Sequence, residues 1–261
     1  MEKSNSYGIR IAIIYCMVWF IDLLDASSLN VSLSSIAASF YVDPLQVQWA
    51  IVGFLFSMSL GICISGWLGD RYGTRAIFIL SQVLYIASSI GCALSFNIYL
   101  LIFFRVLQGF SGGMALPLGM SSLLKALPAD KWAKTSASMN MVTLIAPALG
   151  PIFGAYVTMQ LGWEWMFFIK LPLSFVCLAL TLCWIKKDKG EINSPFDWTG
   201  FLLGGTSLTL LLWAFSEVGN MNPIKLSIAF VIATLIGFFF IESQKRSRFP
   251  LIALALFKIK T

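Results

Sequence analysis

The chain is written in long apolar blocks separated by short polar ones. Runs without a charged residue cover residues 45–69, 76–104, 106–124, 135–163, 171–185, 198–216 and 226–241. A helix needs about 20 such residues to cross about 30 Å of hydrocarbon. The 76–104 run is too long for one helix and divides at Ser95-Phe96-Asn97 into a third span and the start of a fourth. With a first span over about residues 11–34, the pattern predicts eight membrane-spanning helices.

One of these blocks carries its own breakers. APALGPIFGA, residues 146–155, sets two prolines and two glycines between MNMVTLI and YVTMQLGW. In water an interior proline costs about 3 kcal/mol and a glycine about 1 kcal/mol, so the stretch would read as a loop. In a bilayer, neighbouring helices re-satisfy the freed backbone groups and small residues let helices approach closely. The stretch is therefore expected to be a kinked, tightly packed helix interface.

Composition places the chain in that solvent. Hydrophobic residues make up 58% and charged residues 11%, with 22 phenylalanines and a mean hydropathy of +0.84, against roughly 25% charged residues in a soluble domain. Charge then orients the helices. Of the 18 Lys and Arg, all but Arg105, Lys170 and Lys225 fall in the amino-terminal segment, in alternate loops or in the tail. The positive-inside rule puts both termini in the cytoplasm. On this reading Lys170 lies near the outer surface and Arg105 is the single cation inside a span. The net charge of +6 is a topology signal, and no basic cluster interleaved with aromatics supports a nucleic-acid partner. The five cysteines sit in apolar spans at unrelated spacings and read as small hydrophobes. With no histidine, no metal-ligand cluster and no phosphate-cradling loop, the sequence offers no metal or cofactor site and no enzyme chemistry. It also lacks a cleavable signal peptide, because the first span is too long and has no small-residue cleavage site.

Six spans end near residue 185, where KKDKGEINSP forms the longest polar connector. The expected organisation is a six-span bundle over residues 1–190, followed by two further spans and a tail over residues 191–261. Six spans are the size of one half of a two-domain secondary transporter. The apolar tail segment 249–257 is too short to cross and reads as an interfacial helix or the lead-in to a ninth span.

Two stretches carry candidate chemistry. GWLGDRYGTR, residues 66–75, joins the second and third spans. In it Gly66 lets helices approach, Asp70 can cap or face a helix amino terminus, Gly73 permits the turn, and Arg71 and Arg75 can pair with acids. The fourth span carries RVLQGFSGG, residues 105–113. A buried arginine asks for a carboxylate, and FIDLLDASSLN in the first span offers two, Asp22 and Asp25, three residues apart on one helical face at a depth similar to Arg105. A static ion pair that fixes helix packing and a proton site both fit these residues: burial raises a carboxylate's pKa, a nearby arginine lowers it, and two close acids do not readily ionise together.

These motifs resemble those of the major facilitator superfamily. GWLGDRYGTR is similar to its G-x-L-x-D-R-x-G-x-[RK] loop, which implies that Gly66, Asp70, Arg71, Gly73 and Arg75 form a cytoplasmic gating latch between two bundles. R-x-x-Q-G on the fourth span and D-x-T-x-x-N-x-A-L-P on the first look like drug and proton antiporter motifs, here Arg105, Gln108, Gly109, Asp25 and Asn30, with Ser27, Ser32 and Ser34 in place of the usual Thr, Ala and Pro. Pro147, Gly150, Pro151 and Gly154 match the fifth-span antiporter motif, with Ala146 and Ala155 where glycines are usual. WEWMFFIKLP (163–172) and FDWTGFLL (196–203) look like segments of the fourteen-span drug:proton antiporter branch, also called EmrB/QacA-like. Glu164 and Lys170 depart from that pattern and are expected to exchange partners with each other.

The resemblance implies an all-α integral membrane protein of a bacterial cytoplasmic membrane: the amino-terminal six-span bundle and two linker spans of a proton-coupled multidrug efflux antiporter, without the second bundle. Asp25 and Arg105 are the expected coupling pair, with Asp22, Asn30 and Gln108 beside them. The proton gradient supplies the energy, and no cofactor is needed. The implied partners are the lipid bilayer, a small amphiphilic or cationic solute, and a second six-span bundle or a self-dimer. The alternatives are a half-transporter that acts as a dimer or with a separate second half, and a carrier of a non-drug solute.

Overall fold

The computed structural model describes residues 2–127, 129–190, 195–216, 218 and 222–247. These form α1 (Glu2–Ser28), a 3-10 turn (Leu29–Ser32), α2 (Leu33–Phe40), α3 (Pro44–Tyr72), α4 (Thr74–Ala93), α5 (Ile98–Ala126), α6 (Ala129–Leu161), α7 (Trp165–Phe168), α8 (Leu171–Trp184), α9 (Trp198–Ser216) and α10 (Pro223–Arg246). Among the described residues, eight helical stretches are long and apolar enough to cross a bilayer, so the chain is a multi-pass membrane protein. The expected tail segment at residues 249–257 lies outside the described residues.

Helix ends follow local chemistry. Asp43 accepts a hydrogen bond from the Leu45 N–H at 2.8 Å, with Pro44 in the first turn of α3. Asn97 caps α5 through the Leu100 N–H at 2.8 Å, which makes the break inside the 76–104 run. Asn222 and Pro223 start α10 in the same way. Each cap satisfies an otherwise orphaned backbone donor. The first span is longer than expected, running from Tyr7 through the 3-10 turn to Phe40. It passes residue 34 because the 3-10 turn runs directly into α2, and the chain turns left-handed only at Tyr41, at φ 56°. The sixth span begins earlier, at Trp165, because the short α7 precedes α8 in the same crossing.

The chain divides into two compact units, Met1–Gly190 and Glu191–Thr261. The first holds two apolar clusters. One is built around Ile11, Ile14, Tyr15, Phe78, Met114 and Leu118. The other is built around Leu29, Ile36, Val47, Leu101, Met166 and Phe167. Along α1 the first cluster reaches Ile21 and the second begins at Leu29, so Asp22 and Asp25 fall in a layer between them. α3 and α5 lie close together because Gly109 and Gly113 leave room; a Cβ on Gly109 would come within 2.8 Å of the Phe54 carbonyl carbon. In the second unit α9 packs on α10. Asp197 caps α9 through the Gly200 N–H at 2.9 Å and accepts from Gln244 at 2.6 Å.

Candidate functional site

The layer between the clusters is a buried charge assembly. Asp25, 1% exposed, binds Arg105 Nη1 through Oδ2 and Lys170 Nζ through Oδ1. Arg105, fully buried, also donates from Nη1 to Gln108 Oε1 at 2.9 Å. Its guanidinium sits 4.2 Å from the centre of the Phe54 ring, and Lys170 Nζ sits 5.1 Å from that of Phe167. Rings and carboxylate replace part of the water these cations have lost, while Arg105 Nε and Nη2 have no hydrogen-bond partner among the described residues. Asp22 lies one helical turn before Asp25 and is also buried, and its Oδ2 has no hydrogen-bond partner among the described residues.

Local structure explains the aim of each group. Asp22 and Asp25 share one face of α1, and Arg105 and Gln108 share one face of α5. Lys170 stands at the junction of α7 and α8 and caps α8, where its carbonyl accepts both the backbone N–H and the hydroxyl of Ser174 at 3.0 Å. This corrects the sequence expectation twice over. Lys170 is a second buried cation rather than one near the outer surface, and its partner is Asp25 rather than Glu164. One signal for it was present: a lone cation between the apolar stretches WMFFI and LPLSF, on the side that the positive-inside rule leaves poor in charge. Asn30 is not part of the assembly; it is exposed, and among the described residues it reaches only the Ala26 carbonyl, at 3.4 Å.

The 66–75 corner is built differently from its expectation. Gly73 turns the chain at φ 93°, as the motif requires. The carboxylate at the amino terminus of α4 is that of Asp188, which accepts the Thr74 N–H at 2.7 Å and the Arg75 N–H at 3.0 Å. Burial opposes its charge, but those two N–H groups and the Thr74 hydroxyl outweigh burial and hold the carboxyl below its ordinary value. Asp70 is exposed. Arg71 lies over the Trp67 and Tyr72 rings, at 5.2 and 5.7 Å, and the Arg75 side chain donates to the Leu182 carbonyl at 2.7 Å. Their contacts are rings and a carbonyl rather than acids. Gly66 brings no helix close, since no described atom lies within 4 Å of where its Cβ would stand.

The breaker segment of α6 remains helical through Pro147 and Pro151. Both prolines are exposed, while Gly150 and Gly154 are buried against α1. A Cβ on Gly150 would come within 2.6 Å of Ser27 Cβ, and one on Gly154 within 3.1 Å of the Ser28 carbonyl carbon. The glycines thus set the distance between α6 and the helix that carries both acids.

The description "Major Facilitator Superfamily" belongs to a family model that matches residues 15–256. The "Putative multidrug resistance protein MdtD" of Cronobacter sakazakii is 33% identical over 252 residues, covering 93% of this chain and 52% of the relative. The "Multidrug resistance protein B homolog" of Mycobacterium tuberculosis is 30% identical over 239 residues, covering 90% of this chain and 44% of the relative. The chain therefore spans about half the length of the curated relatives it matches. The solved proton:xylose symporter XylE, bound to 6-bromo-6-deoxy-D-glucose, aligns with a TM-score of 0.63 at 15% identity, over 98% of this chain and 57% of XylE. At that identity the likeness is one of fold.

Proposed function

The chain belongs to the major facilitator superfamily, and from that premise we propose that it forms the amino-terminal bundle of a proton-coupled exporter of small amphiphilic solutes, of the fourteen-span antiporter branch. The observation that carries the reading is the buried layer of two acids and two cations, Asp22, Asp25, Arg105 and Lys170, inside a six-span bundle. The multidrug-resistance names of two relatives support the class of solute. Both termini face the cytoplasm of a bacterial cell, and a second bundle, from another copy or another polypeptide segment, completes the substrate path.

The layer couples protons to shape through charge. With both acids ionised its formal charge is zero, and one proton makes it +1. A proton on Asp25 must displace two bound cations, whereas a proton on Asp22 Oδ2 displaces none. Asp22 is therefore the proton-accepting group, and Asp25 is the hub that ties α1 to α5 and to the α7–α8 junction. Each proton taken up by Asp22 changes the field on Arg105 and Lys170, and with it the balance between packings of those helices. Gln108 keeps Arg105 aimed.

The test is solute-driven proton release in vesicles that hold this bundle together with a second one. Asp22→Asn is expected to abolish the release while leaving solute binding. Release undiminished in Asp22→Asn would overturn the proposal.

A further inference from the structure

Asp22 also borders a cavity that the charge layer does not use. The cavity lies among α1, α4, α5 and α8, lined by buried residues, and offers about 20 Å³ to the centre of a water-sized sphere. About 10–15 Å³ on that measure holds one water molecule, provided it finds two to four polar partners. The lining includes Asp22, Gln82, Tyr85, Ser81, Ser111 and Ser174.

The valences of these groups decide what fits. The three serine hydroxyls donate to backbone carbonyls, Ser81 to Phe78 at 2.8 Å, Ser111 to Gln108 at 2.7 Å and Ser174 to Lys170 at 3.0 Å. Their hydrogens are spent, and only lone pairs are left. The Gln82 amide donates to Thr181 at 2.8 Å, and its Oε1 has no partner among the described residues. The same holds for Asp22 Oδ2 and the Tyr85 hydroxyl. All three residues are more than nine-tenths buried. Two acceptors and one hydroxyl, each costly to bury unpaired, match a molecule with two donors and a lone pair.

We propose that this cavity is a hydration site, in which one water molecule donates to Asp22 Oδ2 and Gln82 Oε1, accepts from Tyr85, and gives Asp22 alone of the two acids access to protons. The inference rests on the proton-coupling reading above and names the route into that site. A hydronium from the aqueous phase that reaches the cavity breaks one of its O–H bonds, Asp22 Oδ2 gains the proton, and neutral water remains. A bare alkali cation fits the same oxygens less well, because Arg105 and Lys170 already supply two positive charges to the layer. The titratable groups lining the cavity are Asp22, Tyr85 and Cys177, with Asp25, Arg105 and Lys170 in the adjoining charge layer.

The experiment is infrared difference spectroscopy on the purified chain in lipid nanodiscs, acid minus neutral, in H₂O and then D₂O. One protonated-carboxyl band is expected that disappears in Asp22→Asn and shifts to its deuterated position within the mixing time. Filling the cavity with Ser111→Leu should slow that shift by about tenfold or more. Gln82→Leu, which removes one of the two acceptors offered to the water, should slow it less. Exchange unaltered in both variants, or a band insensitive to Asp22→Asn, overturns the hydration site. A saturable loss of the band with sodium but not with choline also overturns it, in favour of a cation site. No transport enters the measurement, so slow exchange in the unmodified chain would leave the coupling reading standing. Rapid exchange alongside unchanged proton release in Asp22→Asn vesicles would overturn the coupling reading alone.

Discussion

Asp25 and Asp188 are both carboxylates that bind two donors from another part of the chain, yet they sit in opposite surroundings. Asp25 is enclosed at 1% exposure, and its donors are whole cations. Asp188 is exposed at the end of α8's trailing segment, and its donors are two backbone N–H groups at the start of α4. Loss of Asp25 strands two charges where water does not replace their partner. Loss of Asp188 leaves two amides beside an exposed connector, one of them on the partly exposed Arg75. The lesson is that the solvent around a carboxylate, more than its number of partners, sets what its removal costs.

The largest expected effect follows from the enclosed case. Asp25→Asn leaves Arg105 and Lys170 buried against a neutral amide and should destabilise the purified chain by about 3–5 kcal/mol, read as thermal unfolding in detergent. A loss under about 1 kcal/mol would mean that water reaches the layer freely and would break the contrast. Lys170→Met removes one of the two cations and keeps the other, so a smaller loss, at most about 1.5–3 kcal/mol, is expected. If it equals the Asp25→Asn loss, Lys170 rather than Asp25 is the hub.

Between these extremes lies Gly150→Leu. It pushes a bulky side chain into Ser27 and Ser28 and should cost about 1–3 kcal/mol by overpacking, while membrane insertion measured by accessibility of the termini is unchanged. An unshifted unfolding temperature would show that α6 stands off from α1. The smallest effect is expected of Asp188→Ala, about 1 kcal/mol at neutral pH for a lost helix cap at a solvated site. Its sign with pH is set by the lowered folded pKa: the stabilisation is present above the ordinary carboxylate value and disappears as pH falls through the folded value. Unfolding scans of the variant and the parent should therefore converge in acid. A gap that persists unchanged there would assign the effect to packing rather than charge.

How much of this was legible depends on the range of the interaction. The break at Ser95-Phe96-Asn97 was readable because Asn97 caps the very next helix. The pairing of Asp25 with Arg105 was readable because a charge in hydrocarbon needs an opposite one at the same depth, and few were available. The sequence alone puts Lys170 at the interface because a cation eight residues after Gly162 and six after Glu164 looks interfacial until the α7–α8 break is seen to point it inward. The capping role of Asp188 had no local sign, since KKDKG reads as any solvated connector.

The sequence by itself determined the solvent, the eight crossings and the presence of charges that had to find one another, because each of these follows from hydropathy and chain length alone. Only the tertiary structure decided that Lys170 joined the pair of Asp25 and Arg105. It gave Asp25 its second cation and Asp22 a cavity, and it passed the helix cap of α4 from Asp70 to Asp188. Partners more than a hundred residues apart in sequence are chosen by which helix faces meet, and that choice depends on the close packing of glycines such as Gly109 and Gly150 against other helices rather than on any local pattern.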